Sequence, residues 1–488
     1  MNMEDITARR NEAWRDELRK SMKAKERTDI PRVVMPELDA AYRITCNEEV
    51  NQGLTEEQAL LEARRCLDCP EPLCMTGCPV GINIPTFIKH IEKGEFLQAA
   101  ATLKETSALP AVCGRVCPQE KQCESQCFYL KKLKKQPVAI GYLERFAADY
   151  SREHGTGEVP ACAPANGVKI AVVGSGPCGL SFAGDMVKLG YDVTVFEALH
   201  EIGGVLKYGI PEFRLPNKFV DVEIETLRKM GVTFVTDCIV GKTLSYDDLH
   251  EMGFKGVFVA SGAGLPRFMN IPGENLIGIM SCNEYLTRVN LMGAARADWD
   301  TPVLSGKNVA VIGGGNTAMD SVRTARRLGA ERAMIIYRRS EDEMPARKEE
   351  VEHAKAEGVE FMTLHNPVEY LGDENGHVRT MRLQRMELGE PDESGRRSPV
   401  AVEGAIEDIP VDTVIVAVGV SPNPLIPNAI KELEISRRGT IVVNEETMQS
   451  CLPDLYAGGD IVRGGATVIL AMGDGRRAAA AMHEQLSK

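Results

Sequence analysis

Two short stretches concentrate the chemistry of this chain. In RCLDCPEPLCMTGCP, Cys66, Cys69, Cys74 and Cys78 lie close together, and in VCGRVCPQEKQCESQC, Cys113, Cys117, Cys123 and Cys127 follow. Thiolates grouped this tightly point to soft or borderline metals. Their spacings are C-x2-C-x4-C-x3-C-P and C-x3-C-P-x4-C-x3-C. Structural zinc usually shows paired C-x2-C knuckles separated by a longer loop, which is not the pattern here.

Two glycine fingerprints form the second chemical feature. KIAVVGSGPCGLSFAGDMVKLGYDVTVFEA carries Gly174, Ser175, Gly176, Pro177 and Gly179 between an expected strand and an expected helix, and its second strand ends in Glu197. The glycines permit a tight turn and close approach to a pyrophosphate. The helix N-terminus stabilises the phosphate charge, and the acid can take ribose hydroxyls. NVAVIGGGNTAMDSVRTARRLGAERAMIIYRR repeats the device with Gly313, Gly314, Gly315, Asn316 and Thr317, with Ala318 in the last position. Its second strand ends in Arg338 and Arg339 instead of an acid. A carboxylate would repel a 2′-phosphate and arginines attract it, so NADP is expected over NAD.

Two dinucleotide sites suggest a flavoprotein exchanging hydride with a nicotinamide. LPDLYAGGDIVRGGATVILAMGDGRRAAAAM resembles the closing segment of the two-dinucleotide-binding flavoprotein superfamily. The resemblance implies that Gly459 and Asp460 meet the FAD ribityl chain and that Thr467 opens a helix at the flavin. It also implies that Gly204 and Leu206 contribute to the cofactor site, with Gly262 and Gly419 at the strand-end crossings ASGAG and AVGV. Electrons must then leave the flavin. EIGGVLKYGIPEFRLP and residues 306–408 contain no cysteine, which argues against a disulfide relay. Cys162, Cys178, Cys238, Cys282 and Cys451 are scattered singly and read as packed small residues. The clustered thiols are the remaining outlet. Four thiolates ending in Cys-Pro match the two-cluster ferredoxin pattern, whose last Cys serves the other cluster, so iron–sulphur clusters are expected over redox-inert zinc.

The elements that must position these groups follow from periodicity. Residues 1–160 read as a helical domain: the charged N-terminus reads as a helix, and GLTEEQALLEARRCL offers Thr55 as an N-cap with Gln58 as capping-box partner. HGTGEVPACAPANG reads as a linker. From Val168 onward, VKIAVVG, YDVTVFE, GVFVASG, NVAVIGG, RAMIIYRR, DTVIVAVG and DLYAGGD read as buried strands alternating with helices. The expected fold class is α/β: an N-terminal α-helical double-cluster domain, then two Rossmann-like domains. A split FAD domain at 165–292 and 409–488 would enclose an NADP domain at 293–408. The 488 residues suffice for such a set, and the formal net charge of −13 excludes a general binder of nucleic acid or anionic membrane. No segment approaches the roughly 18 apolar residues of a membrane span, and no secretory h-region opens the chain, so a cytoplasmic protein is expected. The basic run LKKLKK at 130–135 reads as a solvated loop or as a docking patch for an acidic partner.

The order of these parts, with the strings CGRVCPQE, PVAIGYLERF, GGVLKYGIPEFRLP and YRRSEDEMPA, resembles the glutamate synthase small (beta) subunit family. It is similar also to the large subunit of NADH-dependent reduced ferredoxin:NADP+ oxidoreductase and to the N-terminal half of dihydropyrimidine dehydrogenase. The resemblance implies an NADPH-dependent flavin/iron–sulphur oxidoreductase subunit with FAD, NADP(H) and two [4Fe–4S] clusters. It implies a hetero-oligomer whose partner is the glutamate synthase large subunit or another flavoprotein, or ferredoxin; a self-contained NADPH–acceptor oxidoreductase is the alternative. No acid–base residue is named, because the cofactor carries the hydride chemistry. Within the family strings Arg347 becomes a third candidate for the 2′-phosphate. The cluster ligands carry over as Cys66, Cys69, Cys74 and Cys127 for one cluster, and Cys78, Cys117, Cys123 and Glu144 for the other, with Cys113 left as packing. The alternative, four cysteines of one burst per cluster, leaves Glu144 as a surface carboxylate.

Overall fold

The computed structural model describes residues 3–157, 159–296 and 298–488. Met1 and Asn2 of the expected N-terminal helix, and Glu158 of the expected linker, lie outside the described residues. That N-terminal helix is three short ones, at Met3–Arg10, Ala13–Ser21 and Ala24–Asp29. The breaks turn Arg15 inward, where it pairs with buried Asp68 at 2.6 Å.

The helical region is built from α1 (Glu56–Arg64), α2 (Ile84–Lys93), α3 (Phe96–Lys104), α4 (Pro110–Val116) and α5 (Ile140–His154). Thr55 and Gln58 form the expected capping box at the start of α1. In α2 the buried residues Ile84, Phe87, Ile88 and Ile91 recur at helical spacing, and Gly94 closes the helix in the left-handed conformation. Residues 155–157 and 159–167 form neither helix nor strand. Hydrogen bonds from Ala163 N–H to Lys188 O and from Asn166 N–H to Gly190 O fasten this stretch to the next domain.

The first dinucleotide unit comprises β1 (Lys169–Val173), α6 (Pro177–Lys188), β2 (Asp192–Phe196), α7 (Asn217–Met230), β3 (Thr233–Val235) and β4 (Phe254–Val259). The chain then crosses through β5 (Leu265–Pro266) into a second unit. That unit holds β6 (Ile279–Ser281), α8 (Cys282–Asn290), β7 (Asn308–Ile312), α9 (Asn316–Arg327), β8 (Arg332–Tyr337) and β9 (Glu360–Thr363). Next come β10 (His365–Gly372), β11 (Val378–Pro391), β12 (Arg397–Pro410) and β13 (Thr413–Val416). The return runs through β14 (Val420–Ser421) to β15 (Leu455–Ala457) and α10 (Val468–Leu486).

All seven strands expected from sequence are present. They fall in two five-stranded sheets, ordered β15-β4-β1-β2-β3 and β6-β13-β7-β8-β9, whose pairings are all parallel. The fingerprint strands β1 and β7 are buried along nearly their whole length, as parallel strands covered on both faces must be. The expected boundaries at 292 and 409 need correction. β6 and β13 lie in the second sheet, and the two crossings pair with each other as the ribbon β5–β14, so the chain changes sheets at 265–266 and 420–421. The antiparallel sheet β10–β11–β12 was not foreseen. Its long strands are half-exposed and charged, without the buried runs that betray the parallel strands.

The helical region is not a separate body. One apolar core runs from Ile88, Leu103, Val112 and Cys113 into Leu180, Phe182, Met472 and Ala479, so α4 and α5 share a core with α6 and α10.

Candidate redox site

The two cysteine bursts pack against each other. A Cβ on Gly77, between Cys74 and Cys78, would lie 2.6 Å from Gln122 O and 3.0 Å from Cys123 Cα, so the first burst's tail is pressed against the second burst. A Cβ on Gly114 would lie 2.5 Å from Arg145 N, which sets the α4–α5 crossing beside Cys113, Cys117 and Glu144. Glycine is needed at both positions because a backbone occupies the space of the side chain.

Cys66, Cys69, Cys74 and Cys127 line one cavity together with Leu73, Ile88, Phe128 and Ile140. Burial, and then the nearby thiols of Cys66 and Cys127, push Cys69 up to about 12 and Cys74 well above the ordinary thiol range. The buried Lys89 ammonium donates to Cys66 O at 2.7 Å and works the other way on the Cys66 thiol. Cys78, Cys117, Cys123 and Glu144 form a second group. Burial, and then the Glu144 carboxylate among other causes, push Cys78 up to about 11. Burial, then Glu124, Cys78 and Glu144, raise Cys123, and the Cys74 thiol of the first group also acts on it. Glu144 is 6 % exposed, its Oε1 has no hydrogen-bond partner among the described residues, and burial, then Glu223, pushes it up to about 8. Glu144 is therefore not the surface carboxylate that the four-cysteine alternative requires. Cys113 lies beside the same group, but its thiol donates to Met472 Sδ at 3.5 Å.

Among the described residues, no three His, Cys, Asp or Glu side chains converge as ligands of a single metal ion. The donor sets nonetheless fit iron–sulphur clusters. Buried thiols and an orphaned carboxyl resist ionisation on their own, and a cationic iron–sulphur core supplies the missing partner for their charge. Backbone N–H groups of Val80 and Ile82 act on the Cys78 sulfur, and those of Tyr129 and Val138 on Cys127. Hydrogen bonds to sulfur are one lever on cluster potential.

The first glycine loop turns as its chemistry requires. Gly174 has φ +100°, and a Cβ there would lie 2.5 Å from Ala260 O; Gly176 faces open space where a phosphate can approach. Glu197 Oε2 accepts from the Ser175 N–H at 2.9 Å and hydroxyl at 2.6 Å, and Oε1 accepts from Leu199 N–H. A carboxylate has about four acceptor positions, so room remains for a ribose hydroxyl. Gly204 lies against Gly176, while Leu206 is fully buried in the core. Gly262 is open, and the neighbouring Ser261 hydroxyl is buried without a partner among the described residues, as a group awaiting a ligand would be. Asp460 follows Gly459 at a turn, and burial, before other causes, pushes it up to about 6. The Thr467 hydroxyl caps α10 by accepting from Leu470 N–H. These residues fit a flavin dinucleotide.

In the second loop Gly313 has φ +139° and abuts Ala417 O, Gly315 is open, Asn316 begins α9, Thr317 is exposed, and Gly419 is open at the crossing. The three arginines part company. Arg338 is exposed, and among the described residues its side chain forms no hydrogen bond or ion pair. Arg339 is buried and paired with Asp392 at the β11–β12 turn. Arg347 points away from the dinucleotide loop: its guanidinium donates to Arg115 O at 2.9 Å and to Gln119 Oε1 at 3.0 Å. The expectation that Arg347 meets the 2′-phosphate is not supported by this placement, because its two terminal nitrogens are held by the helical domain and Glu349, and only its buried Nε lacks a hydrogen bond among the described residues.

Several groups were missed in the sequence. Asp474, fully buried in α10, accepts from Gly459 N–H at 3.0 Å and pairs with Arg463 and Arg477. An acid between two glycines inside a helix of small residues was the available signal. A buried ionic network also ties α9 to the rest: Arg214 to Asp320 at 2.8 Å, Arg43 to Glu357 at 2.9 Å, and Arg327 to Glu357 at 2.8 Å. Burial opposes ionisation of Glu357, yet the Arg327 and Arg323 guanidiniums hold it at about 2. Of the scattered cysteines, Cys178, Cys238 and Cys282 are buried, but Cys162 and Cys451 are exposed, which corrects their reading as packing.

Residues 43–156 match the family model for dihydropyrimidine dehydrogenase domain II, 4Fe-4S cluster, and residues 168–475 match that for pyridine nucleotide-disulphide oxidoreductase. The glutamate synthase [NADPH] small chain of Escherichia coli is 36% identical, with 92% of this chain and 96% of that protein covered. The chain belongs to the glutamate synthase small-chain family. It is an oxidoreductase, and its two domains imply FAD, a nicotinamide dinucleotide and iron–sulphur chemistry. The NADP(+)-dependent formate dehydrogenase subunit beta of Moorella thermoacetica is 38% identical, with 85% of this chain and 60% of that protein covered. FprA from Mycobacterium tuberculosis in complex with NADPH matches with a TM-score of 0.56 at 22% identity, over 67% of this chain and 85% of that one, and shares the fold. Among the described residues, no helix of this family member is long and apolar enough to cross a membrane.

Proposed function

We propose that this chain is the NADPH-oxidising subunit of a glutamate synthase-type complex, with two [4Fe–4S] clusters leading from the flavin site to a partner subunit. Cys66, Cys69, Cys74 and Cys127 hold the outer cluster, and Cys78, Cys117, Cys123 and Glu144 hold the inner one. When bound, FAD supplies hydride exchange with NADP(H) and the clusters supply one-electron carriage. The observation that carries the reading is the placement of the two thiol groups in series. The inner group adjoins α10, whose first turn caps at Thr467, through Met472 on Cys113 and through Gly473 on Pro79. The outer group opens toward the surface at Leu73 and Phe128, which are 41% and 37% exposed.

The protein's own part is holding and orienting. The Gly174–Gly179 turn and the α6 N-terminus receive a pyrophosphate, and Asp474 fixes the Gly459–Asp460 turn through the Gly459 N–H. The basic run begins in a π-turn, Tyr129–Leu133, that presents exposed Leu130 and Leu133 with Lys131, Lys132 and Lys134 beside the outer group. In an acidic chain that surface suits an acidic partner, here the glutamate synthase large subunit. Mixing with NADPH in a rapid-freeze apparatus tests the proposal: both cluster signals should appear in the reduced protein. Flavin bleaching with no cluster signal would refute it.

Arg338 is the main discriminator for the 2′-phosphate, because of the three arginines it is the one without a partner among the described residues. Arg338→Ala should raise KM for NADPH about 10- to 100-fold, the worth of one charged hydrogen bond at about 1.5–3 kcal/mol. Steady-state rates with NADH should barely move. An equal loss with both dinucleotides would make Arg338 structural.

A further inference from the structure

The segment Pro345–Arg347 is clamped between the dinucleotide loop and the inner thiol group. On one side Ala346 N–H donates to Gly314 O at 3.1 Å and Arg347 N–H to Asn316 Oδ1 at 2.9 Å. On the other, Lys121 Nζ donates to Pro345 O at 2.8 Å, and the Arg347 guanidinium reaches Arg115 O and Gln119 Oε1. Arg115 and Gln119 flank Cys117 in sequence. Arg347 is 4% exposed, so its charge sits inside the protein, bonded to the residues two positions on either side of that thiol, which itself acts on the guanidinium. Its carboxylate neighbours are Glu349 at 2.9 Å and Glu120 at 3.6 Å.

We propose that Arg347 is a positioning residue for the inner cluster: its buried cation raises that cluster's reduction potential and fixes the Arg115–Gln119 turn, and it does not bind the 2′-phosphate. The inference rests on the ligand assignment proposed above. An electron added to a cluster makes it more negative, and a fixed cation in a low-dielectric setting stabilises the reduced form. Removing the cation leaves Glu349 and Glu120 uncompensated, which shifts the balance the same way. The hydrogen-bonded path to Gly314 and Asn316 places this control next to the dinucleotide.

The test compares wild type with Arg347→Met and Arg347→Lys in the cluster-loaded protein. Redox titration followed by electron paramagnetic resonance reads each cluster, and calorimetry reads binding of 2′,5′-ADP, a redox-inert probe of the phosphate site. In Arg347→Met the inner cluster's reduced-to-oxidised ratio at fixed potential should fall about tenfold, which is about 59 mV for one electron. The outer cluster should stay near its wild-type potential, and Arg347→Lys should recover most of the shift. Affinity for 2′,5′-ADP should stay within about threefold of wild type, whereas Arg338→Ala weakens it by about tenfold or more. Arg347→Gln, neutral but hydrogen-bonding, replaces the Met variant if that fails to fold. Unmoved potentials in a protein with two clusters overturn the inference alone, as does a loss of 2′,5′-ADP affinity matching that of Arg338→Ala. A wild-type protein without a second cluster overturns the ligand assignment and the inference with it.

Discussion

Gly473→Val should uncouple the flavin from the clusters while leaving hydride transfer from NADPH intact. A Cβ at Gly473 would lie 2.9 Å from Pro79 O and 3.1 Å from Pro79 Cβ, and Pro79 follows Cys78 directly. The obstacle is backbone, so the helix and the cysteine loop must separate. Overpacking of this kind costs about 1–3 kcal/mol, and electron transfer weakens as the distance between the two groups grows. Stopped-flow bleaching of the flavin by NADPH should keep its wild-type rate. Appearance of reduced cluster should slow several-fold. Gly473→Ala should lie between the two, although alanine favours a helix over glycine by about 1 kcal/mol. A helix made intrinsically better yet a slower transfer would locate the effect at the contact with Pro79. An unchanged rate of cluster reduction in Gly473→Val would show that electrons take another route.

How much of this was legible in the sequence depends on the kind of signal. The parallel strands were, because burial on both faces makes β1, β7, β8 and β13 near-continuous apolar runs. Both phosphate loops were, because a positive φ at Gly174 and Gly313 admits few residues other than glycine. The sheet β10–β12 was not, since its strands alternate and face solvent over much of their length. Domain edges were misplaced because β6 and β13 are too short to declare which sheet they join; only pairing decides that. Arginines near a phosphate loop look alike in sequence. Arg338, Arg339 and Arg347 take three different fates in the structure, set by Asp392 and by Gln119, residues distant from them in the chain. Gly473 was also silent, since its need for a bare backbone comes from Pro79, far away in sequence.

Exchanging single cluster ligands should show that the bursts interleave. If each burst held its own cluster, Cys127→Ala and Cys117→Ala would damage the same one. The geometry predicts otherwise: Cys127 shares a cavity with Cys66, Cys69 and Cys74, whereas Cys117 feels Cys113, Glu144 and Cys123. Cys127→Ala should therefore lose the cluster that Cys66→Ala loses, and Cys117→Ala the cluster that Cys78→Ala loses. Each should retain about four of about eight irons, with one paramagnetic signal gone and electron delivery to an external acceptor nearly abolished. The eighth ligand is decided by Cys113 and Glu144. Cys113 is completely buried and its thiol already has Met472 as a partner, so Cys113→Ser should keep about eight irons. Glu144 has a buried oxygen with no partner among three thiols that its charge reaches, so burying it without a metal would be costly. Glu144→Ala should alter the inner signal alone, and Glu144→Cys should restore a cluster with a changed potential, because thiolate is a softer donor than carboxylate. Loss of iron in Cys113→Ser, with Glu144→Ala indistinguishable from wild type, would return the eighth position to cysteine and leave Glu144 as an unexplained buried acid.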